Sequence, residues 1–393
     1  MATSTKKKAV IPYNPQVLRW ARERRGISVE EVAEKLNQKP ERISAWESAA
    51  DAPTVPQARK LAEIYERSFL EFFLSAPPEV KEPQLIPDFR AHRGIDIDAD
   101  DRGLKELQGW AEAQRENAID LFHEVAEPVP EFPPALRCRT SDDEEAASDR
   151  AREAMGFTIA YQLGMKAAEK ARLPNILRAK IEALGVLTLK ATEIREFGAR
   201  GLCIVAFPIP VIVFGNETSG AQAFTLVHEL AHVMLGASGI ISPLSTKTGV
   251  EVWCDRFAAA FLMPRAAVHQ MLGAPPRLPA PFISDAVIDQ AASALKVSAH
   301  AMLVRLVHLG YVNEGFYWGV KKPLFDAQER NFKSFGRSEY YGSRYKNALG
   351  EMYTGLVIEA WGAGRITNHN AAEYMGIKNL QHLYDIRERF GGR

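Results

Sequence analysis

The stretch "FTLVHELAHVML" (224–235) constrains this chain more than any other. Leu226, Leu230, Val233 and Leu235 recur at helical spacing, with no Gly or Pro to interrupt them. His228 and His232 stand four positions apart, so they project from one face of that helix about a turn apart, and Glu229 follows the first directly. Two readings compete. The residues are an amphipathic helix with two packed histidines, or they hold a metal ion.

The second reading has a definite chemistry. Two histidines at i and i+4 reach one zinc ion, and zinc lowers the pKa of water towards about 7. A carboxylate at Glu229 then takes the water's proton as general base. Glu251, 19 positions after His232 on a second expected helix, is the favoured third ligand. Asp255 shares the face of Glu251 and is placed to orient a liganding histidine from behind. The continuation "FAAAFLMP" is small enough to let the second helix pack closely on the first. Cys254 remains a rival ligand, because thiolates bind zinc well, although a cysteine in an apolar helix also serves as plain core. His92, His123, His269 and His308 have no neighbour at ligand spacing.

The 393 residues, 46% apolar and 25% charged, suit a soluble globular chain of two or three domains. The longest apolar run, "LCIVAFPIPVIVF" (202–214), is too short for a membrane span and holds two prolines. Lys6, Lys7 and Lys8 are not followed by an apolar segment, so no secretion signal is read. Cys138, Cys203 and Cys254 are an odd, scattered set that argues against a disulfide framework. Together these point to the cytoplasm, with no membrane partner. Residues 1–75 carry 13 Lys+Arg against 10 Asp+Glu and residues 321–393 carry 12 against 8, in a chain of zero formal charge. The ends are therefore basic and the middle acidic, which permits nucleic-acid contact at the ends.

Four segments are expected: 1–75, a linker at 76–100, a main domain at 101–315, and a helical region at 316–393 of unassigned role. In the first, Ser28 and Glu31 have capping-box spacing, and Asn37 sits where a tight turn takes a residue tolerant of positive φ. Pro40 opens the next helix, with Ile43 and Trp46 inward. Ala58, Leu61, Ala62 and Tyr65 supply a closing helix. The linker is proline-punctuated, and "DIDADD" (96–101) lacks the glycine and distal glutamate of a calcium loop. From Leu104 to Val125 apolar spacing predicts one long helix, a spine packed on its own domain or, alternatively, the seam of a homodimer. Helices are expected at 142–155 and 175–184, strands at "GVLTLK", "GLCIVAF" and "PVIVFG", and a loop at "GASGIISPLSTKTG". A helix pair follows at 283–312, and a second ends the chain, capped by Thr367 and turned at Gly376. The fold class is α+β and mostly helical.

The segment "ARERRGISVEEVAEKLNQKPERISAWESAADAPTVPQARKLAEIYE" resembles the lambda-repressor-like (XRE) helix-turn-helix over nearly its whole length. The resemblance implies binding to double-stranded DNA through the third helix, where Lys39, Arg42 and Ser44 are the side chains suited to contact it. Asn37 departs from the usual glycine, and Glu41 faces the phosphates unfavourably.

"FTLVHELAHVML" followed by "EVWCDRFAAAFLMP" resembles the ImmA/IrrE metallopeptidase family, over roughly 86–312 including "IPDFR" (86–90). That resemblance implies a zincin-like domain with Zn2+ on His228, His232 and Glu251, and Glu229 as general base. Cys254 departs from the usual alanine. The family's members cut XRE-type repressors under stress such as DNA damage, so a repressor protein is the implied substrate. A regulator whose peptidase-like domain senses without cutting is the alternative. A small-molecule zinc hydrolase fits the N-terminal segment poorly.

Overall fold

The computed structural model describes residues 13–65, 67–78, 101–241, 249–330 and 341–390. Lys6, Lys7 and Lys8, His92, "IPDFR", residues 96–100 of the acidic run, and residues 242–248 of the expected loop lie outside the described residues. The chain divides into two units, Met1–Glu82 and Pro83–Arg393.

In the first unit α1 (Pro15–Arg25), α2 (Val29–Leu36), α3 (Pro40–Glu47) and α4 (Val55–Tyr65) are followed by a 3-10 turn at Phe69–Phe73. Each boundary has a local cause. Asn14 caps α1, and Gly26 ends it in the left-handed region at φ 64°. Ser28 and Glu31 form the reciprocal capping box of α2, and Asn37 closes that helix at φ 51°. Pro40 occupies the first turn of α3. Val17, Leu18, Val32, Ile43, Trp46, Leu61 and Tyr65 make the core. Arg22 ties α1 to α3 with a two-pronged ion pair to Glu47, at 2.7 and 2.9 Å.

The second unit opens with α5 (Asp101–Glu124), α6 (Glu144–Ala154), α7 (Ile159–Gly164) and α8 (Leu173–Glu182). Strands β1 (Leu187–Lys190), β2 (Gly201–Ile204) and β3 (Val211–Phe214) lead into α9 (Ser219–Leu235), then β4 (Gly239–Ile241) and α10 (Gly249–Leu262). After α11 (Arg265–Leu272), α12 (Asp285–Leu295) and α13 (Ala299–His308), α14 (Glu314–Phe316) runs through a π-helical turn into α15 (Lys322–Arg330). The tail holds α16 (Tyr341–Gly362), α17 (Asn368–Tyr374) and α18 (Leu380–Phe390). Among the described residues no helix is long and apolar enough to cross a membrane.

The sheet order is β1-β3-β2-β4, with β1 parallel to β3 and the other pairs antiparallel. The central strands send alternate side chains into two cores. Cys203, Ile212 and Phe214 join α8, α9 and α10 on one face, while Leu202, Ile204, Val211 and Val213 join α5 and the tail helices on the other. A sheet covered on both faces explains why its strands are unbroken apolar runs. The long helix α5 uses Leu104, Leu107, Ala111, Ala118 and Leu121 as a spine against this second core. Its apolar face is thus used within the chain. The expected loop after α9 is corrected at Gly239–Ile241, where a three-residue edge strand pairs with β2.

The tail is fastened by a buried ion pair. Helix α16 breaks at Gly350 (φ 87°). Arg178 on α8 donates to Asn347 O and Ala348 O before the break, at 2.6 and 3.3 Å. Glu182 accepts from the amides of Glu351 and Met352 after it, at 3.0 and 2.9 Å.

Candidate metal centre

Helix α9 is capped by Thr218 and ends at Gly236 in the left-handed region, φ 68°. It is buried nearly throughout, because the sheet covers one side and α8 and α10 the others. His228, Glu229 and His232 are 2%, 0% and 0% exposed, and Glu251 on α10 is 3% exposed. Four titratable groups in an interior are costly unless they serve one another.

Three of them do. His228 Nδ1 lies 3.1 Å from Asp255 Oδ1, and His232 Nδ1 lies 3.1 Å from Ala237 O. A carbonyl only accepts, so His232 carries its proton on Nδ1, and the Asp255 carboxylate places a proton on His228 Nδ1 in the same way. Both Nε2 atoms therefore turn inward, 3.2 Å apart. The Glu251 carboxylate faces them, with Oε2 at 3.4 Å from His228 Nε2 and Oε1 at 3.2 Å from His232 Nε2. Cys254, on the same face of α10, brings its sulfur into a buried group with the two histidines in which one ligand atom from each lies within 4.8 Å of the others. Such a group could hold a metal ion.

The protonation pattern follows from this packing. Burial alone would lower His228, but the bonds to Asp255 and Glu251 raise its pKa to about 9. Burial holds His232 below the usual histidine value despite Glu251. Burial would raise Glu251, yet the two histidines bring it down to about 2. Glu229 goes the other way: burial pushes it well above the usual carboxylate range, opposed only in part by His228.

Neither oxygen of Glu229 has a hydrogen-bond partner among the described residues. Its carboxylate lies against the backbone of β2, where a Cβ on Gly201 would stand 2.0 Å from Oε1. Gly201 therefore admits this side chain. Gly201 and Ala237 shape the centre from outside the histidine and glutamate motifs. A glycine opening an otherwise apolar strand is the available signal for Gly201, since it marks a close approach; Ala237 acts through its backbone and leaves no signal.

In the first unit Lys39, Arg42 and Ser44 are exposed along α3. Arg42 is held by Gln38 Oε1 at 3.0 Å and lies 3.6 Å from Asp51. Asn37, Gln38, Lys39, Glu41 and Arg42 line a shallow concavity at the start of the helix. Gln38 is a further polar side chain there that the sequence reading had not singled out.

A small helical bundle with a punctuated second and third helix, joined to a domain with a buried histidine-carboxylate centre, defines a DNA-binding regulator fused to a peptidase-like domain. Residues 18–72 match the family model described as helix-turn-helix, and residues 182–307 match that of the IrrE N-terminal-like domain. The chain is thus a fusion of an XRE-like helix-turn-helix with an ImmA/IrrE-like domain. Comparison with curated proteins and with solved structures returned no match.

Proposed function

We propose that this protein is a cytoplasmic, stress-responsive zinc endopeptidase that binds double-stranded DNA and cleaves an XRE-type repressor, relieving repression. The observation that carries the reading is the pair of converging Nε2 atoms. Each histidine has its Nδ1 committed, to Asp255 or to Ala237, and its Nε2 directed at a shared point beside Glu251. Nitrogens bound to one tetrahedral zinc stand about 3.3 Å apart, and these stand 3.2 Å apart. Zinc on His228, His232 and Glu251 would supply a Lewis acid and lower the pKa of water towards about 7.

The chain's own residues do the rest. Glu229, unpartnered and adjacent, would be held ionised by the bound cation against the effect of its burial, and it takes the proton of the attacking water and passes it to the leaving amine. Asp255 fixes the ring of His228 and strengthens it as a donor. Lys39, Arg42 and Ser44 on α3 meet DNA, with Arg42 and Lys39 supplying charge to the phosphates. A homodimer on DNA would have to use surfaces other than the buried face of α5.

A second reading, a regulator that senses without cutting, is favoured by one observation: His228, Glu229, His232 and Glu251 are all buried, and a peptide must gain entry. Metal analysis tests the basis of the first. The purified protein is expected to hold about one zinc per chain, lost in His228→Ala or His232→Ala and weakened in Glu251→Ala. Full zinc content in both histidine variants would remove the basis of the reading.

A further inference from the structure

We infer that Cys254 is a fourth protein donor to the same metal, so that the protein keeps its centre closed until the sulfur is exchanged for water. This rests on the metal reading proposed above. Glu251, Cys254 and Asp255 occupy positions i, i+3 and i+4 of α10, which share a helix face. Glu251 reaches both histidines of α9, and Cys254, at i+3, flanks it on the side away from Asp255. Its sulfur belongs to the buried group with His228 and His232, whose ligand atoms span no more than 4.8 Å. A thiolate and an imidazole nitrogen on one tetrahedral zinc stand about 3.6 Å apart, from bond lengths of about 2.3 and 2.0–2.1 Å. The difference is within the reach of a side-chain adjustment.

The other cysteines behave differently. Cys138 donates to Leu136 O and accepts from Arg150, at 3.4 and 3.3 Å. Cys203 is on β2 and is not part of the histidine group. The fully buried Glu229 carboxylate, on the same helix as both histidines and with both oxygens unpartnered, is a second sign that this interior is built around a ligand.

The consequence is regulatory. Zinc held by four protein ligands is a closed structural site, whereas catalysis needs three and an open position. With His228, His232, Glu251 and Cys254 all bound, Glu229 has no water beside it to deprotonate. Exchange of the Cys254 sulfur for a water molecule, the sulfur taking up a proton from solvent as it leaves, would restore the open position. The closed centre is then a latent form, and Cys254 sets how much of the protein is in it.

Cobalt substitution tests this on the full chain, kept reduced with a phosphine. The wild type should show ligand-field bands in the visible and a thiolate-to-cobalt charge-transfer band in the near ultraviolet. Cys254→Ser and Cys254→Ala should lose the charge-transfer band, keep the ligand-field bands, and bind metal at least about 10–100-fold more weakly, the loss typical of even an outer partner. The double variant Cys138→Ser/Cys203→Ser, which leaves Cys254 as the remaining thiol, should keep the band and decides the case if the Cys254 variants do not fold. Ligand-field bands without a thiolate band in the wild type, or loss of the band in the double variant, would overturn the inference while leaving the metal centre intact. No cobalt uptake at all would overturn both.

Discussion

Gly201 and Glu229 show how narrow the tolerances are at the scale of single residues. The glycine contributes no side chain, and that is its role: a methyl group there would stand 2.0 Å from Glu229 Oε1 and 2.9 Å from Thr225 Cγ2. Gly201→Ala should therefore displace the carboxylate while leaving His228, His232 and Glu251 in place. Its expected signature is zinc content equal to wild type with repressor cleavage slowed by about 10²–10⁴-fold, the usual cost of losing a general base. Unchanged cleavage would mean that the position of Glu229 does not matter to the reaction. The centre was legible in the sequence where it is local. His228, Glu229 and His232 lie within one helical turn, and Glu251 and Asp255 repeat that spacing on the next helix. Ala237 was not legible, because it acts through a backbone carbonyl that carries no residue preference, and Gly201 was legible only as a glycine opening an apolar strand, without the side chain it admits.

Among the elements, the break in α16 is the most informative. A helix interrupted at Gly350 exposes carbonyls on one side and amides on the other, and buried groups of both kinds need partners. Arg178 and Glu182, one turn apart on α8 and joined at 3.3 Å, satisfy the two sides separately. Removing either partner leaves a buried charge uncompensated. Glu182→Ala and Arg178→Ala should each destabilise the second unit by about 3–5 kcal/mol, and the double variant should cost less than the two losses added together. Urea midpoints measure this; strictly additive losses would show that the pair is not coupled. Nothing in the spacing of "ARLPNILRAKIEALG" signals that its Arg and Glu serve a helix far along the chain. Strands β1, β2 and β3 were legible as short apolar runs between turn signals. Three-residue β4 was not, since it is a strand only by virtue of its pairing with β2.

Across the whole molecule, two domain types with distinct chemistry occupy one chain. The helix-turn-helix was legible because its caps at Ser28 and Asn37 and the opening proline Pro40 are themselves sequence signals. The docking of the tail on the sheet was not, since the apolar faces of α16, α17 and α18 fit either an outside partner or the core they cover. A buried centre that cuts a protein needs Glu229 as a proton acceptor, and one that only senses a signal does not. Glu229→Gln preserves shape and leaves the metal donors untouched, but it cannot accept a proton. The decisive measurement follows the length of a co-expressed XRE-type repressor, and the output of its reporter, under DNA damage. Wild type should shorten the repressor and raise the output, and Glu229→Gln, with zinc retained and DNA still bound, should do neither. Full derepression by the variant with the repressor uncut would contradict proteolysis and leave the sensor in its place.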